Sequence, residues 1–346
     1  MKNSLVFRPF TFHSFSTRTK SLFKIALLSL YLLLLAFSSS FKSIVIVVFA
    51  VFAFLFAEFI LSKTKVSRAF QIFDAIEKGL LTGLLLPESF PLAYVFFVMF
   101  FSHLALDFFS GNFAKNCVHE IVIVLCISYI CASDFFPKPI SDFEIFQMKN
   151  ASEFLIENGT FPIARYDSFA TASINNSIFH FFGISIPEGY VSLFWDTKIS
   201  IPAFRFNALS IFASIVLFGF DMLSFVIPIA FLFSYTMLVR FASLFFFQNV
   251  QAGDMLLSLC TSGTLFFASF ILENAGTIPR THFGKIIFGL IVGIFAFFIA
   301  GFGLSNIGMS FAVLCSTLLT PFILQIEDAH NLNKTRYLLR TKTEAV

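Results

Sequence analysis

From Ile25 to Phe41 the chain carries no charged side chain, and after Lys42 a second uncharged run extends from Ser43 to Ala57. Runs of this length match the roughly 20 apolar residues that a helix needs to cross a bilayer. Each central Leu, Ile, Val or Phe favours insertion by roughly 0.3–0.6 kcal/mol, so the first run inserts by several kcal/mol. The pattern recurs. Ten segments are predicted to cross or enter a membrane, near 25–41, 44–61, 70–86, 91–109, 118–136, 206–219, 222–240, 252–272, 283–303 and 306–326. The segment 70–86 is weakened by Asp74, Glu77 and Lys78, and reads as a helix that begins in water and ends as a short intramembrane piece at Leu86–Pro87. The segment 206–219 is short for a crossing.

Composition excludes the other classes. Only 12% of the 346 residues are charged while 58% are hydrophobic, whereas a soluble globular chain carries roughly 25% charge. Disorder fails on the same numbers. A membrane barrel would show short alternating strands in place of long apolar runs. The expected fold is therefore an all-α integral membrane protein of about ten transmembrane helices with one long extracytoplasmic loop. A net charge of +3 is too small to point to nucleic acid. The five cysteines, Cys117, Cys126, Cys131, Cys260 and Cys315, lie in or beside apolar runs without CxxC spacing and read as packing thiols.

Lys and Arg give the orientation. Lys2, Arg8, Arg18, Lys20 and Lys24 precede the first segment, and Lys63, Lys65 and Arg68 follow the second. Lys115, Arg280, Lys285 and the tail residues Lys334, Arg336, Arg340 and Lys342 fall on the same side of a ten-pass chain; Arg240 alone dissents. The chain then divides into an N-terminal cytoplasmic tail (1–23), five helices (24–136), an extracytoplasmic loop (137–205), five more helices (206–326) and a cytoplasmic C-terminal tail (327–346). The first apolar run continues to Phe41 without an A-x-A-like cleavage site, so it is expected to be a retained helix and not a secretory signal.

Two stretches carry a resemblance. One is Gly79-Leu-Leu-Thr-Gly-Leu-Leu-Leu-Pro-Glu-Ser-Phe-Pro91 followed by Phe109-Ser-Gly-Asn-Phe-Ala-Lys-Asn116. The other runs from Ser262-Gly-Thr-Leu-Phe-Phe-Ala-Ser-Phe270 through Pro279-Arg-Thr-His-Phe-Gly-Lys-Ile-Ile-Phe-Gly289 to Gly308-Met-Ser-Phe-Ala-Val-Leu314 and Pro321, with Ile201-Pro202 and Ile227-Pro228 between the two stretches. In order and spacing these blocks resemble the RnfD/NqrB family of electron-transport subunits over roughly 70–326, and the length is closer to RnfD.

The resemblance implies a membrane subunit of a multi-subunit, ion-translocating oxidoreductase in a bacterial inner membrane, with Na+ or H+ moved as electrons pass. It implies the other subunits of an Rnf-type complex and a flavin transferase as partners, and FMN as cofactor, with room for a second flavin. In the family, FMN is bonded through its phosphate to a hydroxyl of a D-x-x-[ST]-G-A-T motif on an extracytoplasmic loop. The matching stretch is Asp167-Ser-Phe-Ala-Thr-Ala-Ser173. Ser173 takes the acceptor position and Ala172 matches, whereas Ala170 and Thr171 replace the family's [ST] and Gly. A shifted alignment makes Thr171 the alternative acceptor. A phosphodiester needs an exposed hydroxyl with small neighbours, and the motif is expected to be offered as an extended peptide. A tethered carrier transfers electrons without diffusing.

Other polar residues admit a functional or a structural role. His103 and Asp107, at i and i+4 in the fourth segment, share a helix face and form a possible intramembrane polar site, since ionisable groups in a membrane mark ion or proton paths. Glu58, Glu120 and Asp254 are expected at the interface, and Asp74 with Lys78 as a structural pair. Glu273 is expected near a cytoplasmic loop, facing water or a neighbouring subunit. Gly83, Gly263, Gly289, Gly293, Gly301 and Gly303 suit close helix approach. The 56 Phe are assigned to packing and lipid contact. No Walker A loop, HExxH or nucleophile elbow is present, so no catalytic residue or metal ligand is assigned and NADH or ferredoxin would meet other subunits. The alternative is a non-redox polytopic transporter or structural membrane protein. The sequons at Asn150, Asn158 and Asn175 in the outside loop would suit a eukaryotic source, whereas the one at Asn333 lies on the expected inner side.

Overall fold

The computed structural model describes residues 16–64, 71–117, 119–137, 163–183, 185–195, 199–247, 254–273, 278–301 and 305–343, of which 17, 64, 109–117, 182, 246, 247 and 331–343 by their backbone alone. Lys65, Arg68, Asn150, Asn158, Gly303 and most of the first half of the expected loop lie outside these residues, as do the side chains of Cys117 and Asn333.

All regular structure among the described residues is helical. A first group comprises α1 (Thr17–Phe37), α2 (Phe41–Thr64), α3 (Ile72–Leu85), α4 (Leu92–Cys117) and α5 (Glu120–Cys131). Two short helices follow, α6 (Asp167–Ser177) and α7 (Tyr190–Phe194). The second group is α8 (Asn207–Gly219), α9 (Val226–Phe247), α10 (Met255–Thr261), α11 (Thr264–Phe266), which runs into a π-turn at Phe267–Ile271, α12 (His282–Ala300) and α13 (Gly308–Thr343).

Among the described residues five helical stretches are long and apolar enough to cross a membrane: Arg18–Phe37, Phe41–Lys63, Val226–Phe245, His282–Ala300 and Gly308–His330. Leu92–Phe108, Glu120–Cys131 and Asn207–Gly219 are apolar but shorter. Of the ten expected crossings, these five are full-length apolar spans among the described residues, and shorter apolar pieces are packed among them. The 14 residues of α3 reach about 21 Å at 1.5 Å per residue, short of a hydrocarbon core of about 30 Å. As expected, this helix stops at Leu86 before Pro87. The segment expected at 252–272 is broken in the middle. Gly263 adopts φ +73°, and the hydroxyls of Ser262 and Thr264 both donate to the Ser258 carbonyl (2.9 and 3.1 Å). The last helix continues through Pro321 as far as Thr343, so much of the expected tail extends that span.

Glycine sets the closest contacts. A Cβ on Gly79 would lie 2.5 Å from the Val51 Cα, and one on Gly83 would lie 2.7 Å from the Val47 Cα, so α3 lies backbone-to-backbone on α2. Gly289 and Gly293 bring α12 onto α9 in the same way, against Ala230 and Ser234. Gly263 does not serve such an approach; it turns the chain. Buried side chains from both groups form one apolar core that includes Tyr31, Phe54, Phe206, Phe231 and Phe288.

The ends of the bundle differ. At one end the α1–α2 turn, the α3–α4 turn and residues 199–205 are stitched by Arg205. Its guanidinium is 2.9 Å from Glu88, its Nε donates to the Ile199 carbonyl at 2.7 Å, and Nη1 reaches Ser40 Oγ. Glu88 N–H in turn donates to the Ser200 carbonyl at 2.9 Å. This stretch was expected to be loop, yet Ile201, Ala203 and Phe204 are buried, because the notch at Gly263 receives the Phe204 ring. At the other end Glu273 accepts the Ser224 N–H and feels Lys20, Lys24 and Lys285. Glu327 there accepts the Arg280 and Thr281 N–H groups, both at 3.1 Å. Lys20, Lys24, Arg280 and Lys285, expected on one side, therefore share one end of the bundle.

Candidate functional site

The expected acceptor motif lies at the Arg205 end, on a helix where an extended peptide was expected. Asp167 opens α6 and is fully buried. Its Oδ1 accepts the Gly189 N–H (2.7 Å) and the Thr171 hydroxyl (3.0 Å), and its Oδ2 accepts the Ser192 N–H and hydroxyl (both 2.6 Å). The carboxylate is thereby the knot that ties α6 to α7. Asn175 closes the far turn, donating to the Ile186 carbonyl at 2.8 Å and accepting its N–H at 2.9 Å. The hydroxyl of Tyr166 reaches the Trp195 carbonyl at 2.7 Å, and that of Tyr190 reaches Asp254 at 2.7 Å, so the pair of helices is anchored to the second group.

The two candidate hydroxyls are separated by this geometry. Thr171 is 3% exposed and spends its proton on Asp167. Ser173 faces solvent beside exposed Ala172. Phe169, one turn earlier on the Ser173 face, is 80% exposed. An outward hydroxyl, a small neighbour and an uncovered ring fit a tethered flavin phosphate at Ser173 and leave no access at Thr171.

His103 and Asp107 are both buried in α4. The described partners of His103 come from other helices: its Nδ1 meets Glu120 of α5, and its Nε2 lies 3.4 Å from Glu58 of α2. Lys78 of α3 extends the network, with Nζ 2.7 Å from both Asp74 and Glu120. Lys24 of α1 adds a 3.0 Å pair with Glu77. The expected Asp74–Lys78 pair is present; Glu58 is buried and Glu120 partly exposed, and both carboxylates turn onto His103. Asp254 caps α10 through the Leu257 N–H at 3.0 Å. Sequence reading missed Glu58 and Glu120 because each stands near a helix end, where a carboxylate ordinarily reaches water. Their one signal was a charge inside or against an apolar run. Among the described residues no group of His, Cys, Asp and Glu is arranged to hold a metal ion.

A model of the NQR2, RnfD, RnfE family matches residues 5–333. The chain belongs to this family. Among its relatives is the RnfD protein of the ion-translocating oxidoreductase complex of Buchnera aphidicola subsp. Baizongia pistaciae, 26% identical over 286 residues, which are 76% of this chain and 78% of the relative. The protein of the same name from Actinobacillus succinogenes is 36% identical over 97 residues, 28% of this chain and 26% of the relative. That of Vibrio vulnificus is 33% identical over 97 residues, 28% and 27% of the two chains. In this NQR2/RnfD/RnfE chain the two stretches that carried the resemblance lie at close helix contacts. The first holds Gly79 and Gly83 against α2, and the second holds the Gly263 break and the Gly289 and Gly293 contacts.

Proposed function

We propose that this chain is the membrane subunit of an Rnf-type, ion-translocating oxidoreductase complex, carrying FMN on Ser173 and relaying electrons while Na+ or H+ crosses the membrane. Its relatives, named as RnfD components of such a complex, support the assembly. The observation that carries the site is the contrast between two hydroxyls of one short helix: Ser173 open to solvent, Thr171 closed over Asp167.

When bound, the flavin would supply one-electron carriage at a fixed place. The chain's own part is positional. Ser173 would provide the ester oxygen, and Ala172 would leave room for the phosphate. Asp167, through Gly189 and Ser192, keeps the helix rigid. Trp195, held by Tyr166 and packed 5.4 Å from Phe206, joins this platform to the bundle. The platform lies at the end opposite Lys20, Lys24 and Lys285, which by the charge rule is extracytoplasmic. Both termini would then be cytoplasmic, in a bacterial inner membrane.

A mass spectrum of the peptide spanning Asp167–Ser177 from the assembled complex tests the reading. An FMN-sized adduct on Ser173, lost in Ser173→Ala and kept in Thr171→Ala, is expected. An unmodified Ser173 in an assembled, electron-transferring complex would overturn it.

A further inference from the structure

Helices α2, α3, α4 and α5 each contribute ionisable side chains to one linked cluster, and at its centre stands a buried imidazole with a carboxylate against each nitrogen. A neutral imidazole has one N–H and one lone pair, and a charged one has two N–H groups. The contacts of His103 to Glu120 and Glu58 are both satisfied only when two protons are shared among the three groups. Either the ring carries both, or it carries one and a carboxyl carries the other. Removing one proton sets a lone pair against a carboxylate in a place only 2% exposed, which is costly.

Two further observations bear on what such a site takes. His119, directly before Glu120, is 3% exposed and bonds the Ile271 carbonyl. Its Nδ1 has no partner among the described residues, so an acceptor without a donor stands within electrostatic reach of Lys24, Lys78 and Glu120. The surroundings are also one-sided. Toward the Arg205 end, Phe54 lies edge-on to His103 at 5.3 Å, and Ala50, Leu84, Val95 and Met99 are fully buried. In the opposite direction Glu58 accepts the N–H of exposed Gln71 at 3.4 Å.

We propose that Glu58, His103 and Glu120 form a proton-binding site inside the bundle, loaded from the end that carries the basic clusters. Its coupling to electron flow rests on the function proposed above; the binding of the proton does not. A proton passing from Glu58 to Nε2 is matched by the Nδ1 proton passing to Glu120. One proton thus crosses the ring without changing the ring's own count. Arrival at Glu120 cancels the charge that faces Lys78 and leaves that ammonium to Asp74, which loosens α3 from α5. The other charged groups nearby are the separate Lys24–Glu77 pair and Asp107, one turn along α4. A sodium ion needs a cage of oxygens, whereas here imidazole fills the space between the two carboxylates and an ammonium covers the other side of Glu120.

The assembled complex in sealed vesicles tests this. Expected is proton uptake that accompanies electron transfer, with the ratio of protons to electrons lost in His103→Gln. A ratio unchanged by His103→Gln overturns the proposal. Infrared difference spectra of the wild-type complex with isotope-labelled histidine decide the matter if the variant fails to assemble. An imidazole band titrating together with a carboxyl band is expected, and titration of neither band overturns the site. Flavin on Ser173 is measured in the same preparation. A titrating site without flavin leaves the proton site standing and removes the flavin reading, while flavin with no titrating band does the reverse.

Discussion

The Thr171 hydroxyl donates to Asp167 Oδ1 across one turn of helix, at 3.0 Å. This contact removes one of two neighbouring hydroxyls from solvent and makes Asp167 the organiser of the outer helices. The same carboxylate holds Gly189 and Ser192, so its importance is structural before any modification takes place.

Replacing Asp167 by Ala therefore leaves buried N–H groups of Gly189 and Ser192 without an acceptor. Each costs about 1–3 kcal/mol. Faster protease cleavage within residues 163–195 of the detergent-solubilised protein is expected, while cleavage elsewhere stays the same.

Gly263→Ala is expected to be among the most damaging single-methyl additions. The residue sits at φ +73°, and a Cβ there would lie 1.9 Å from the Phe204 ring. The backbone penalty alone is about 1–2 kcal/mol. A lowered melting temperature is expected for Gly263→Ala. The double variant Phe204→Ala/Gly263→Ala should not return to the stability of Phe204→Ala alone, because removing the ring leaves the backbone strain.

Arg205→Lys should not substitute for arginine. The guanidinium serves Ile199, Ser40 and Glu88 from separate nitrogens, and an ammonium cannot reach all three in the same geometry. A loss of about 1–3 kcal/mol is expected. It should be visible as lowered thermal stability and as new labelling of a cysteine placed at Ser200.

Gly79→Val should separate α3 from α2. The Cβ would stand 2.5 Å from a Val51 backbone atom that cannot rotate away, and overpacking of this kind costs about 1–3 kcal/mol. Reduced yield of assembled protein is expected. Gly219→Ala, where a Cβ meets nothing within 4 Å, is the control that should fold normally.

Much of the architecture could be read from the amino-acid order. Charge-free runs marked the first two helices, and the 3.6-residue spacing placed Asp74 opposite Lys78. Pro87 stopped α3 where expected, and the match to an acceptor motif singled out Ser173 along with Thr171. The break at Gly263 was hidden because the residues around it are as apolar as a continuous span. The burial of residues 199–205 was equally hidden, since it depends on a notch formed by chain some sixty positions away.

Local sequence decided that the chain is helical and apolar, because insertion into lipid is a sum over neighbouring side chains that needs no knowledge of partners. It could not decide which polar groups face one another. Glu58, His103 and Glu120 are brought together only when α2, α4 and α5 pack, and Thr171 is closed only when α6 seats Asp167 against α7. Those contacts join residues distant in sequence, so tertiary packing alone selected the open hydroxyl and assembled the buried network.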